Sequence, residues 1–144
     1  MTVQIEEIAG YSDDVLRALN DMMPQLSAGS PVLTRLDLEA IVNSDASHLY
    51  LATNGAAYIG SLTLVMFKIP TGFRAWIEDV VVSTHARGQG VGELLVQHAI
   101  VVARSAGVKS IDLTSRSSRA PAIALYKKLG FQCRETNVFR FEGI

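Results

Sequence analysis

The chain has 144 residues, 49% of them hydrophobic and 19% charged, with a formal net charge of -1. That length suits one folded domain, and the composition excludes intrinsic disorder, which needs low hydrophobicity and high net charge. Near-neutral charge argues against a nucleic-acid partner, the single cysteine cannot form an internal disulfide, and no apolar run reaches the roughly 20 residues that span a bilayer.

The opening Met-Thr-Val-Gln-Ile-Glu-Glu has no basic stretch followed by an apolar one, so no secretory leader is expected. The expectation is a cytoplasmic α/β or α+β protein forming a single domain over residues 1–144.

In chain order, Val3 to Ile8 predicts a first strand with Val3, Ile5 and Ile8 inward. Ser12 caps a helix whose Val15, Leu16, Leu19 and Met22 or Met23 share a face, and Pro24 ends it. Thr34 caps a second, short helix carrying Leu38, Ile41 and Val42, with Asp37 in capping-box position. His48 to Thr53 and Ala57 to Lys68 then form a hairpin about Asn54-Gly55, both of which tolerate positive φ. Pro70-Thr71-Gly72 turns the chain into a strand from Arg74 to Ser83, whose β-branched run fits a central position. A glycine-rich turn leads into a long helix with Val91, Leu94, Leu95, His98, Ala99 and Val102 at helical spacing, stopped by Gly107. Val108 to Leu113 is a further strand, and the strand–helix–strand unit from Arg74 to Leu113 requires a right-handed crossover and a locally parallel pairing. Ala120 to Leu129 is a last helix closed by Gly130, and Phe131 to Cys133 and Asn137 to Phe141 finish as two strands.

The informative stretch is Arg87-Gly88-Gln89-Gly90-Val91-Gly92, at a strand-to-helix junction. Free backbone N–H groups and the positive end of a helix dipole meet there, which suits an anionic ligand. Arg87 adds a charge matched to phosphate, and Gly90 and Gly92 let the backbone approach closely. The dinucleotide fingerprint fails because Glu93 stands where a glycine or alanine is needed. A P-loop fails because no Lys-Ser or Lys-Thr follows Gly92.

The turn resembles the acyl-CoA-binding signature of the GNAT N-acetyltransferase superfamily, [Q/R]-x-x-G-x-[G/A], with Arg87, Gly90 and Gly92 at every specified position. Ala122-Ile123-Ala124-Leu125-Tyr126-Lys127-Lys128-Leu129-Gly130-Phe131 is similar to that family's A-x-x-L/F-Y-x-x-x-G-F segment. The likeness is closest from Trp76 to Gln132. It implies a mixed sheet of six to seven strands, splayed at the cofactor cleft and flanked by about four helices.

The resemblance also implies direct transfer of an acetyl group from acetyl-CoA to an amine, with no metal. By that likeness the backbone of Arg87, Gly88, Gln89, Gly90, Val91 and Gly92 holds the pyrophosphate, and Val80, Val81 and Val82 pair with the pantetheine arm. The amide near Val80 polarises the thioester carbonyl. Tyr126 protonates the departing thiolate or, alternatively, packs against the cofactor. Glu78 and Asp79 lie where many relatives carry a carboxylate that acts directly or through water. Strand alternation sends the two to opposite faces, so one of them, with Glu78 favoured, enters the cleft. It deprotonates the amine, which at neutral pH is mostly ammonium, or only anchors it. Arg119 departs from the family's asparagine and either reaches a CoA phosphate or stays in solvent.

Cys133 is expected in the core. The three histidines, His48, His85 and His98, have no partners at ligand spacing, so no metal site is expected. His98 reads as packed, His85 as exposed, and Trp76 and Phe73 as core or pocket. The acceptor site is expected around Met22 to Leu36 and Lys68 to Gly72, for a small-molecule amine, an amino acid, an amino sugar or a protein amine. Ile77 to Val82 resembles the matching stretch of glucosamine-6-phosphate N-acetyltransferases. A homodimer through the late strands is a further expectation. The rival reading is a non-catalytic acyl-CoA-binding domain, against which Tyr126 and the Glu78–Asp79 pair both count.

Overall fold

A computed structural model of the chain describes residues 2–144. Among them are five strands and four α-helices: β1 (Gln4–Glu7), α1 (Asp13–Leu26), α2 (Arg35–Val42), β2 (Ser47–Thr53), β3 (Tyr58–Ile69), β4 (Gly72–Val82), α3 (Val91–Ala106), β5 (Ser110–Asp112) and α4 (Ala120–Lys128). A short 3-10 turn, Thr84–Ala86, leaves the end of β4.

Contacts divide the chain after Thr114 into two units. The first holds one sheet in the order β1-β2-β3-β4-β5. Neighbours are antiparallel through β4, and β5 joins β4 in parallel, as a strand–helix–strand crossover requires.

The two faces are covered differently. On one, Val15 and Leu19 of α1 and Leu38 of α2 pack with Leu49 and Leu51 of β2 in a buried cluster. On the other, Val91, Leu95, Val96, Ala99 and Ala103 of α3 are buried. Gly60 of β3 is the point of close approach on that face. A Cβ there would lie 3.0 Å from Leu95 Cδ1, 3.0 Å from Val91 Cγ1 and 3.2 Å from the Val81 carbonyl oxygen.

The predicted caps form. The Ser12 hydroxyl accepts from Val15 N–H at 3.2 Å. Thr34 and Asp37 exchange side-chain and backbone bonds in a complete capping box. Asn54 turns the β2–β3 hairpin by accepting from the N–H groups of Ala56 and Ala57, with Gly55 at φ 91. Pro24, by contrast, does not end α1, which runs on to Leu26. In the last turn a proline costs little more than one hydrogen bond, and the Gln25 side-chain amide adds a bond to the Asp21 carbonyl.

The second unit contains α4, entered through Arg119 and stopped at Gly130, whose φ is 100. Phe131 to Cys133 and Asn137 to Phe141 form no strand, so the sheet has five strands rather than six or seven. Alternating apolar residues do not make a strand without a ladder partner. Phe139 and Phe141 are accordingly 90% and 79% exposed. Cys133, expected in the core, is exposed for the same reason.

Candidate active site

β4 sets out the site. It pairs with β5 only from Arg74 to Trp76, so from Ile77 to Val82 it has no strand on that side. Backbone donors and acceptors along this splayed stretch are open to a ligand that can pair like a strand.

The same stretch contains a bulge. Thr63 pairs with Glu78 and Ser61 with Val81, leaving Leu62 alone opposite Asp79 and Val80. Asp79 has φ 50, the only non-glycine residue at positive φ among those described. It takes the left-handed position that glycine usually fills in such a bulge, and aspartate is one of the few side chains that tolerates it.

The bulge changes which way the acids point. Glu78 and Val81 share the face of their partners Thr63 and Ser61, and Asp79 joins those two β3 residues in lining a cavity. Alternation therefore fails to part the two carboxylates. Burial pushes the Glu78 carboxyl up from its ordinary range, and the charge of Asp79 pushes it further in the same direction.

The cavity, about 220 Å³, opens between α1, α2 and the sheet. Leu19, Met23, Pro31, Leu33, Ile41 and Leu49 supply its apolar wall, and Ser30, Ser61, Thr63 and Asp79 its polar atoms. The expected acceptor segment from Met22 to Leu36 contributes four of these residues, whereas none comes from Lys68 to Gly72. Ser61 and Thr63 are new to the site. Two hydroxyls at alternate positions of an otherwise apolar strand are the sequence signal that would have revealed them.

Beyond β4 the chain makes the glycine turn. Gly88 and Gly90 have φ 78 and 79, and a Cβ on either would meet nothing within 4 Å, so backbone conformation rather than space calls for glycine. Gly90 is the N-cap of α3 and provides no side-chain bond to the first N–H groups of that helix. The 16-residue α3 therefore presents the positive end of its dipole, with no side-chain cap from Gly90, beside the open edge of β4. Arg87 donates from Nε to the Val82 carbonyl at 3.2 Å, which fixes the guanidinium at this corner. The Gln25 side chain accepts from Thr84 N–H at 2.9 Å and ties α1 to the turn.

The other sequence candidates fall in or near these elements. His85 is exposed, with Nδ1 3.0 Å from the Ser83 hydroxyl. His98 is half-buried and meets the Tyr50 ring edge-on, centroids 4.8 Å apart. Trp76 and Phe73 are half-buried, and Lys68 lies over the Phe73 ring. Among the described residues, no group of three or more His, Cys, Asp or Glu could hold a metal ion. No helix among them is long and apolar enough to cross a membrane.

In the second unit, Tyr126 is buried, and its ring meets Phe131 edge-on at 5.9 Å. Burial raises the phenol above its ordinary value, while the positive charge of Arg119 opposes the rise. The hydroxyl therefore stays protonated well above neutral pH and is available as a donor.

A β4 edge left open beyond β5, a bulge and a glycine-led helix N-terminus define an α/β scaffold with a backbone surface beside a helix dipole, and comparison with known proteins says which family it belongs to. The profile of the Acetyltransferase (GNAT) family matches residues 14–131, and the chain belongs to that family. The uncharacterized N-acetyltransferase YhdJ of Bacillus subtilis is 36% identical over 107 residues, 72% of this chain and 73% of YhdJ. The matched part of this chain spans only 31% to 55% of the length of four other acetyltransferases. A solved transcriptional regulator from Bacillus halodurans superposes with a TM-score of 0.84 at 28% identity, over 97% of this chain and 99% of its own. The fold alone is shared with AAC(6')-Iy, solved with a CoA-S-monomethyl-acetylneamine analogue, at a TM-score of 0.82, 18% identity and full coverage of both chains.

Proposed function

We propose that this chain transfers the acetyl group of acetyl-CoA directly to an amino group. The observation that carries the reading is the open edge of β4 running into the glycine-led N-terminus of α3, a backbone surface suited to a pantetheine arm and a pyrophosphate. The two units act as one domain over residues 1–144, supported by a family profile that runs across the boundary at Thr114.

In this reading the N–H groups of Arg87 to Gly92 hold the pyrophosphate, and the backbone of Val80 to Val82 pairs with the pantetheine amides. The Val80 amide, which lies in the bulge, stabilises negative charge on the thioester oxygen during attack. Glu78, whose raised pKa makes it a stronger base than an ordinary carboxylate, takes a proton from the acceptor ammonium directly or through water. The free nitrogen adds to the thioester carbonyl carbon, the carbon–sulfur bond breaks as Tyr126 gives its proton to the thiolate, and the second proton on the nitrogen leaves through water to restore the Tyr126 phenol. Arg119, about two turns before Tyr126 along α4, supplies a positive charge to a CoA phosphate. Exposed Phe139 and Phe141 favour a homodimer in which the tail is covered.

The test is thermal unfolding with and without acetyl-CoA, followed by thiol release with amine acceptors. Ligand at about 100 times its Kd adds about 2.7 kcal/mol of stability, several degrees in midpoint for a chain of this size. A shift followed by thiol release supports the transferase. A shift without release from any amine would leave an acyl-CoA-binding domain, and no shift would remove the assignment.

A further inference from the structure

We propose that the acceptor is a small monoamine with an apolar body and no anionic group, bound in the cavity between α1, α2 and β3–β4 with its ammonium on Asp79. The inference rests on the transferase reading above and narrows it.

Charge is decisive. Asp79 is the only charged residue among those described as lining the cavity, and no Lys, Arg or His lines it. A phosphorylated amino sugar or an amino-acid carboxylate would meet Asp79 with no cation to offset the repulsion. A polyamine or aminoglycoside would carry further ammonium groups into an apolar wall, where an unpaired charge is costly.

Geometry supplies the rest. An alkylammonium has three donors. The Asp79 carboxylate and the hydroxyls of Ser61 and Thr63, which stand two apart on the same face of β3, provide three acceptor groups on one side of the cavity. The bulge is what brings Asp79 to this face, at a backbone conformation few side chains adopt. Leu19, Met23, Leu33 and Ile41, from the helices and the loop between them, and Leu49, beside Thr63 on the sheet, form the apolar wall. At about 220 Å³ the cavity is smaller than the roughly 300–1,000 Å³ typical of sites for drug-sized ligands, which sets the scale at a single ring or a short chain.

The experiment is calorimetric titration of the full chain with phenethylamine, 2-phenylethanol, spermidine and glucosamine 6-phosphate, each alone and with CoA present. Phenethylamine is expected to bind at least about tenfold tighter than the other three, the scale of one charge-assisted hydrogen bond. Asp79→Asn, which tolerates the same positive φ, should bring phenethylamine down to the affinity of 2-phenylethanol while leaving CoA affinity and the unfolding midpoint unchanged. Equal or tighter binding of spermidine or glucosamine 6-phosphate overturns the proposal, as does undiminished phenethylamine binding by Asp79→Asn. The CoA titration reports separately on the transferase reading. CoA binding without the amine preference defeats this inference alone, and absent CoA binding defeats the transferase.

Discussion

Replacing Gly90 by alanine isolates the backbone requirement of the glycine turn. The added Cβ meets nothing within 4 Å, so the perturbation is conformational: an L-residue held at φ 79. That costs about 1–2 kcal/mol. If the free chain keeps the left-handed turn, the cost appears as lost stability and acetyl-CoA affinity is spared. If the free chain relaxes, stability is spared and the cost reappears on binding, because the ligand must restore the turn. The two losses therefore sum to about 1–2 kcal/mol in either case, equivalent to at most about 5- to 30-fold in affinity. Urea unfolding gives the first quantity, with a midpoint change of up to about 1 M at an m-value of about 2 kcal/mol/M. Calorimetry with acetyl-CoA gives the second. Gly90→Asn should recover a large part of whichever loss is seen, since asparagine visits this region readily. A summed loss near zero would refute the conformational reasoning. A sum well above 3 kcal/mol would mean that the Cβ collides with the ligand itself.

Three further outcomes are expected. Glu78→Gln should remove the acid limb of the kcat/KM profile. The raised Glu78 pKa places that limb above the ordinary carboxylate range, with activity rising as pH passes through it and the carboxylate forms. Because a raised folded-state pKa gives stability that is lost as pH rises, the same variant should be no less stable than the parent at pH 8; a drop there would contradict the direction of the shift. Tyr126→Phe should lower kcat by about 100-fold, the lower end of general-acid effects, with acetyl-CoA affinity changed little. Equal rates would leave Tyr126 as packing. Gly60→Ala should destabilise by about 1–3 kcal/mol through crowding of Leu95, Val91 and the Val81 carbonyl, read by urea unfolding, and a stabilised variant would show that α3 yields freely.

Local signals in the sequence carried the elements whose cause is local. Ser12, the Thr34–Asp37 box, Asn54-Gly55 and Gly107 all act through bonds or dihedrals within a few residues, and each stands where expected. The turn from Arg87 to Gly92 was legible for the same reason. The failures are non-local. Phe131 to Phe141 has a strand's alternation and finds no ladder, a matter of pairing that a lone segment cannot announce. Pro24 was over-read because its penalty depends on how many turns follow it. The bulge at Asp79 was invisible because it is a relation between two strands, and with it went the side on which Asp79 stands. The cavity draws on five elements and the α1–α2 loop, so only its segment from Met22 to Leu36 could be named in advance.

The bulge also means that β4 carries two phases. Paired residues share a face, so Trp76 and Glu78 stand with Val81 on one side, and Ala75 and Ile77 with Val80 and Val82 on the other. Parity changes at Asp79. Deleting that single residue would place Val80 opposite Leu62 and leave Val81 opposite Ser61 and Val82 opposite Gly60, so the sides of the three valines would survive and only the bulge would be lost. The extra residue therefore serves the cavity rather than the sheet: its loss should leave β3 and β4 in register while removing the carboxylate from the side of Ser61 and Thr63.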